Sequence, residues 1–407
     1  MKHIVFIFGN YYPEAGSTSL CTINVINVIK IIPGVKITCI CRNDDETVVE
    51  HRDGLEIHRV KATSWGKKYN DTGKIKKMIL LLYKKFNGIA KYYNFPDRNK
   101  TLSNRIYKEL ELINEGTPID GIIATYMPYQ SVASALIYKK KHQKTPIIGY
   151  FLDTMRREKY SHISDSLFVR LCDKAMHKVF TKLDKVILMK YTEDMFQSNF
   201  FNDVKGKMVY LNFPSLRIMP IDESHINNFR CNFIGSTYKE IRNPIYAIDV
   251  FEYVHKKKSD ISFHIYGKTD MVDDLRRISK IHSDFFSYHG FVASNEVERI
   301  YEETDYIVSI GNKSKGIVPG KSFELFGKLK PIIHFTDIDN DTSLIFFKQY
   351  PNVCVIDMRE RVDYSGDKLL SFIKQDYYYC NPKQIRSTYS SAMPDAAVKE
   401  IRKILNC

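Results

Sequence analysis

The chain has 407 residues, 44% of them hydrophobic and 27% charged, which suits two globular domains and excludes a disordered, collagenous or fibrous protein. Lysine plus arginine number 61 against 47 aspartates and glutamates, a net charge of +14 that favours anionic partners. The eight cysteines form no C-x-x-C pair and no zinc-spaced cluster, so they read as reduced thiols of a cytoplasmic protein.

Residues 3–9, an apolar β-rich run closed by Gly9-Asn10, predict a buried strand. The run is too short for a signal peptide, and no small-residue cleavage site follows it. Helical spacing follows over 19–32, then a second strand over 35–41. The same rhythm gives strands at 121–125, 146–151 and 185–189, with helical stretches at 129–141 and 164–181. Near-continuous apolar strands alternating with helices mean a parallel sheet covered on both faces. At 214–228 the rhythm breaks, and it restarts with strands at 231–235, 262–267, 286–290, 306–311 and 331–335. Helices are expected at 243–257, 294–303 and 320–328, and the end, 383–406, is helical apart from Pro394. The expected domains are 1–213, 214–385 and a helical segment 386–407 that packs back on the first. In such α/β domains ligands lie at the carboxyl ends of the strands, beside helix starts that suit phosphate.

The segment from Gly316 to Ile333 carries the strongest chemical signal. Gly320-Lys321-Ser322 looks like a P-loop, but that spacing needs a glycine at Lys315. What remains is a glycine-rich loop with a lysine at a helix start, suited to a diphosphate. Glu324, one turn further, could accept both hydroxyls of a ribose; the plainer reading is an acidic residue favoured in a first helical turn.

Pro319, Lys321, Phe323, Glu324 and Pro331 together resemble the donor-site signature of GT-B glycosyltransferases of the glycosyltransferase family 4 type, as found in bacterial polysaccharide synthesis. The family's G-K-P is stretched here to Gly327-Lys328-Leu329-Lys330-Pro331. Upstream, Phe233-Ile234-Gly235-Ser236 through Arg242-Asn243-Pro244 is similar to the opening strand and helix of the family's second domain. Tyr12-Pro13-Glu14-Ala15-Gly16-Ser17 resembles the glycine loop after the first strand. The resemblance implies two Rossmann-like doubly wound domains facing a central cleft, and sugar transfer from a nucleotide sugar to a lipid-linked or growing surface glycan. It implies retention of configuration and no metal or other cofactor. Glu324 would hold the ribose, and Arg242 and Lys321 the diphosphate. Gly316, Ile317, Val318, Gly320 and Ser322 would meet phosphate and sugar, with Gly16 and Ser17 lining the opposite side. Asp153, after the strand Tyr150-Phe151-Leu152, falls where relatives place an active-site residue, although a helix N-cap or a partner for Arg156 would explain it equally. Two departures stand out: Gly316 replaces the family's first glutamate, and Ser236 stands where many members have arginine.

Other features compete. Asp337-Ile338-Asp339-Asn340-Asp341 contains an Asp-x-Asp, but Thr342 and Lys348 break the calcium-loop pattern, and solvated loop carboxylates are the expectation. The 74–93 segment places Ile75, Met78, Ile79, Leu82, Phe86, Ile89 and Tyr93 on one helical face with lysines around it. That pattern fits either an anionic membrane surface or packing on the sheet. A non-hydrolysing nucleotide-sugar epimerase, or a GT-B protein retaining only binding, are the alternatives to a transferase. No nucleic-acid motif is present.

Overall fold

The computed structural model describes residues 1–62, 95–157, 164–221, 229–312, 318–337, 339, 341–375 and 378–405. The expected helix over 74–93, and Gly316 and Ile317, lie outside the described residues. The chain divides into two compact units, Met1–Pro214 with Pro394–Cys407, and Ser215–Met393.

Unit 1 carries strands β1 (Lys2–Ile7), β2 (Val35–Asn43), β3 (Val48–Arg52), β4 (Leu55–Lys61), β5 (Gly121–Tyr126), β6 (Ile147–Phe151), β7 (Lys185–Met189) and β8 (Met208–Leu211). They form one sheet in the order β3-β4-β2-β1-β5-β6-β7-β8, parallel throughout except for the β3–β4 hairpin. The central strands β1, β5 and β6 are buried along almost their whole length, as continuous apolar runs require in a sheet covered on both faces. The hairpin has no counterpart in the expected strands. Its turn, Asp53-Gly54, takes φ of +54° and +73°, the paired positive angles of a tight hairpin turn that Asp-Gly supplies. Helix Lys100–Gly116 starts where Asn99 Oδ1 accepts the Leu102 amide at 3.1 Å.

Unit 2 carries β9 (Arg230–Ile234), β10 (Ser262–Tyr266), β11 (Phe286–Gly290), β12 (Tyr306–Ile310), β13 (Ile332–Thr336) and β14 (Val353–Asp357). All pair in parallel, in the order β11-β10-β9-β12-β13-β14. Counted from β9 this is the 3-2-1-4-5-6 order of the dinucleotide-binding fold, and the order reverses between β9 and β12. The expected helix over 320–328 is the shorter Lys321–Phe326. Its C-cap, Gly327, lies against another segment: a Cβ there would come within 2.1 Å of the Arg217 carbonyl oxygen. The stretched Gly327–Pro331 run then has a use. Leu329 turns at φ +62° and is fully buried, while Lys330 Nζ donates to the carbonyls of Tyr301, Glu302 and Thr304 at 2.6–2.9 Å. A lysine thereby satisfies the open carbonyl end of helix Ser294–Glu302.

Candidate functional site

The reversal between β9 and β12 lies at the carboxyl edge of unit 2, where the segment 235–244 follows β9 and Gly311-Asn312 follow β12. The first is closed by reciprocal backbone bonds between Tyr238 and Arg242, at 3.1 and 2.9 Å. Asn243 Oδ1 then accepts the Ile245 amide at 3.0 Å, beside Pro244 at the start of helix Ile245–His255. The Arg-Asn-Pro run therefore fixes one side chain and starts a helix. Arg242 Nη1 donates to the Ser236 carbonyl at 3.3 Å and Nη2 to Asn312 Oδ1 at 2.8 Å. Its Nε is buried with no hydrogen-bond partner among the described residues. Both acceptors are neutral, and among the described residues no carboxylate contacts this guanidinium. Burial lowers its pKa, and the more distant Asp341 charge opposes that shift.

Lys321 opens helix Lys321–Phe326 and lines the same small cavity. Among the described residues no ion pair or hydrogen bond to its ammonium is formed; Nζ lies 5.9 Å from the centre of the Tyr301 ring. Burial lowers its pKa, with Glu324 opposing and Lys328 and Arg242 reinforcing the shift. Glu324, three residues on, shares that helical face and is half-buried, yet forms no ion pair with Lys321. The cavity, about 30 Å³, has room for roughly one water molecule. Among its walls are Arg242, Ser309, Gly311, Lys321, Ser322 and His334. Arg242 and Lys321, neither with a contacting anion among the described residues, both line this cavity together with the apolar Phe233, Ile234, Val308 and Leu325.

The other expected residues fall as follows. Ser322 is buried in the cavity wall, and its amide donates to the Pro319 carbonyl at 3.0 Å. Gly320 presents its carbonyl to Ser215 Oγ at 2.6 Å, and Val318 is buried. In unit 1, Gly16 is exposed at the N-cap of helix Ser17–Ile29, with open space where a Cβ would stand, and Ser17 is exposed beside it. Asp153 is buried past the end of β6, and its Oδ1 accepts the Thr154 amide at 2.8 Å. Arg156 turns elsewhere, making two 2.8 Å bonds to Asp173.

The acidic run at 337–341 is solvated only in part: Asp339 is exposed, but Asp341 is not. Arg359 gathers Asp337, Asp339 and Asp357, while Asp341 is 6% exposed and hydrogen-bonded to His334, Thr336 and Ser343. Of these partners His334 and Ser343, with Ser309, line the cavity. No motif spacing marks them, because they converge from a strand, its neighbour and the following turn. Among the described residues no group of three His, Cys, Asp or Glu side chains could hold a metal ion.

No protein-family model matches the chain, and no curated protein does. Solved structures do. An α,α-trehalose 6-phosphate synthase from Burkholderia multivorans superposes with TM-score 0.61 at 10% identity, covering 100% of this chain and 98% of that one. The Anabaena HepE protein in complex with UDP matches with TM-score 0.57 at 11% identity over 100% of both chains. The lipopolysaccharide outer core galactosyltransferase WaaB matches with TM-score 0.53 at 13% identity over 99% of both. At such identities the likeness establishes the fold. The chain has the GT-B fold of nucleotide-sugar glycosyltransferases, built from two Rossmann-like units. No helix among the described residues is long and apolar enough to cross a membrane.

Proposed function

We propose that the protein is a glycosyltransferase that takes a sugar from a nucleoside-diphosphate sugar bound to unit 2. The observation that carries this reading is the pair Arg242 and Lys321, two half-buried cations lining one cavity with no contacting carboxylate among the described residues. In sugar transfer the departing diphosphate gains negative charge as the glycosidic bond breaks. A guanidinium and an ammonium already desolvated beside it stabilise that charge without reorganisation and without a metal. Glu324, unpaired on the adjoining helical face, is the group for the ribose hydroxyls. The UDP held by the Anabaena protein supports a nucleoside diphosphate as the common ligand.

For the acceptor we infer a lipid-linked or growing surface glycan, with Asp153, Gly16 and Ser17 of unit 1 on the acceptor side. The galactosyltransferase acting on the lipopolysaccharide outer core supports that class, as does the lysine-rich amphipathic sequence of 74–93. Retention of configuration follows from the family resemblance, and Gly316 in place of its first glutamate makes product stereochemistry worth measuring directly.

Thermal-shift titration with UDP, GDP and ADP tests the donor site. At least one should stabilise the chain, and Arg242→Ala or Lys321→Ala should each weaken it roughly 10–100-fold, as for a lost charge-assisted bond. Glu324→Ala should reduce the preference for the nucleotide over its 2′-deoxy form. Stabilisation by none of the three would refute the donor site. Flotation with anionic vesicles tests the membrane-facing acceptor: neutralising Lys76, Lys77, Lys84 and Lys85 should abolish it, and undiminished flotation removes 74–93 from the argument.

A further inference from the structure

At the outer edge of the unit 2 sheet two histidines meet ring to ring. β11 is the edge strand there, paired with β10 alone. The register runs His264 with Ser287 and Ile265 with Tyr288, then jumps to Tyr266 with Gly290, so His289 is skipped. The extra residue makes a β-bulge, and Gly290 completes it at φ +74°. The skipped side chain is turned onto β10. Its ring stacks on Tyr266 with centroids 4.3 Å apart and planes 5° from parallel, and its Nε2 lies 3.1 Å from His264 Nδ1. His264 and Tyr266, two apart on β10, leave the same face of the sheet. His264 Nε2 lies 3.1 Å from Ser262 Oγ on that face. The carboxyl end of β10 also bears the segment that leads to Arg242, since the Gly235 amide donates to the Tyr266 carbonyl at 2.8 Å.

The contact between the rings admits one proton. A bond from nitrogen to nitrogen needs an N–H on one ring and a lone pair on the other. At least one of the two imidazoles is therefore neutral while the contact stands, and two imidazolium rings would set N–H against N–H. The surroundings press in the same direction. From β9, Arg230 Nη2 donates to Tyr266 Oη at 2.7 Å, and Nη1 lies 3.3 Å from Glu303. Glu303 is shared with Arg299, also at 3.3 Å. For half-buried His264, burial and then the Arg230 charge bring the pKa down to about 3. The same two causes, in the same order, lower that of the more exposed His289.

We propose that the His264–His289 contact is an acid-sensitive latch on the bulged edge strand, closed while one proton lies between the rings and released when both rings are charged. The protons come from solvent, and the proposal is independent of the donor-site reading. In the opened strand both histidines titrate near the ordinary 6.5, whereas the closed pair resists protonation. The stability that the latch contributes is therefore complete above about pH 6.5 and is lost as pH falls below it. Each proton taken up on opening lowers the protection of β11 by up to about ten-fold per pH unit.

Hydrogen exchange of the full chain, read as protection factors so that the intrinsic exchange rate cancels, tests this. Between about pH 7 and about pH 5 the wild type should lose roughly 10–100-fold protection over Phe286–Gly290. The double variant His264→Gln, His289→Gln keeps hydrogen-bonding side chains that do not titrate in this range, and it should lose most of that fall. If the double variant fails to fold, His289→Gln alone, at an exposed position, should show a smaller fall than the wild type. Protection of β11 that is unchanged on acidification of the wild type overturns the proposal. So does an equal fall in wild type and variant, because acid then acts elsewhere.

Discussion

Two glycines show how differently the same residue constrains this chain. At Gly327 a side chain would meet the Arg217 carbonyl at 2.1 Å, and the Gly327 carbonyl accepts the Met219 amide at 2.9 Å. Backbone faces backbone there, so neither partner can turn aside. Gly327→Ala should cost about 1–3 kcal/mol or more, which at roughly 2–4 °C per kcal/mol for units of this size shows as a clear fall in Tm. Gly16→Ala should lower Tm much less, because its Cβ meets open space and its φ of −79° suits alanine, leaving only alanine's poorer fit at an N-cap. A melt in which Gly16→Ala fell as far as Gly327→Ala would contradict this account. At this scale the sequence marks Arg242, Lys321 and Glu324 as charges beside helix starts, and the structure brings Arg242 and Lys321 to the walls of one cavity. Ser309, His334 and Asp341 carry no such mark. Their convergence comes from pairing β12 with β13 and from burial of Asp341, and local sequence encodes neither.

Strand–helix alternation gave most elements because the central strands are buried on both faces and must be continuously apolar. The elements without such a signature sit at margins. β3 reads Val48-Val49-Glu50-His51-Arg52 and is largely exposed, β8 has four residues, and helix Lys100–Gly116 follows the 63–94 stretch. That helix is tied to β4 by one histidine. His58, 7% exposed, places Nδ1 2.6 Å from Glu109 on the helix and Nε2 2.8 Å from Glu56 on its own strand. Burial disfavours its charge, but the bonds to Glu109 and then Glu56 outweigh it, and its pKa is raised above 6.5. Lys36, 3.5 Å from Glu56, is the other charge facing this group. The raised value means the folded state binds the proton more tightly than the unfolded chain does. The stabilisation is therefore complete below the unfolded pKa near 6.5 and is lost as pH rises through the folded one. Chemical denaturation of wild type and His58→Gln should show a stability gap that is widest at pH 6 and narrows toward pH 9. A gap that widened with pH would mean that the imidazole, not the imidazolium, is the stabilising form.

Over the whole molecule much of the +14 is occupied with closing helix ends rather than with ligands. Lys330 satisfies three carbonyls of one helix end, Lys207 Nζ donates to the Thr181 and Leu183 carbonyls at 2.8 Å, and Lys139 pairs with Asp184 and the Thr145 carbonyl. Arg242 and Lys321 differ in that no carboxylate contacts either among the described residues. The chain also crosses between units twice, after Pro214 and again after Met393, so both ends belong to unit 1. The return is made by helix Pro394–Leu405, whose apolar stripe reads Ala397, Val398, Ile401 and Leu405, all buried. Leu405 lies against Gly121 at the start of β5, where even a methyl group would collide with it. Glycine at that place in a buried strand leaves room for a side chain 284 residues later in sequence (405 − 121), a relation that no local pattern carries. Burying each of the larger side chains contributes at most about 1.5–3 kcal/mol, and the sum is comparable to the net stability of a typical domain. Truncation after Met393 should therefore destabilise unit 1 and spare unit 2. Hydrogen exchange should show lost protection in Lys2–Ile7 and Gly121–Tyr126, while β9 and β12 retain theirs. Equal loss of protection in both sheets would mean that the two units unfold as one, and protection unchanged in unit 1 would mean that the returning helix covers its sheet without supporting it.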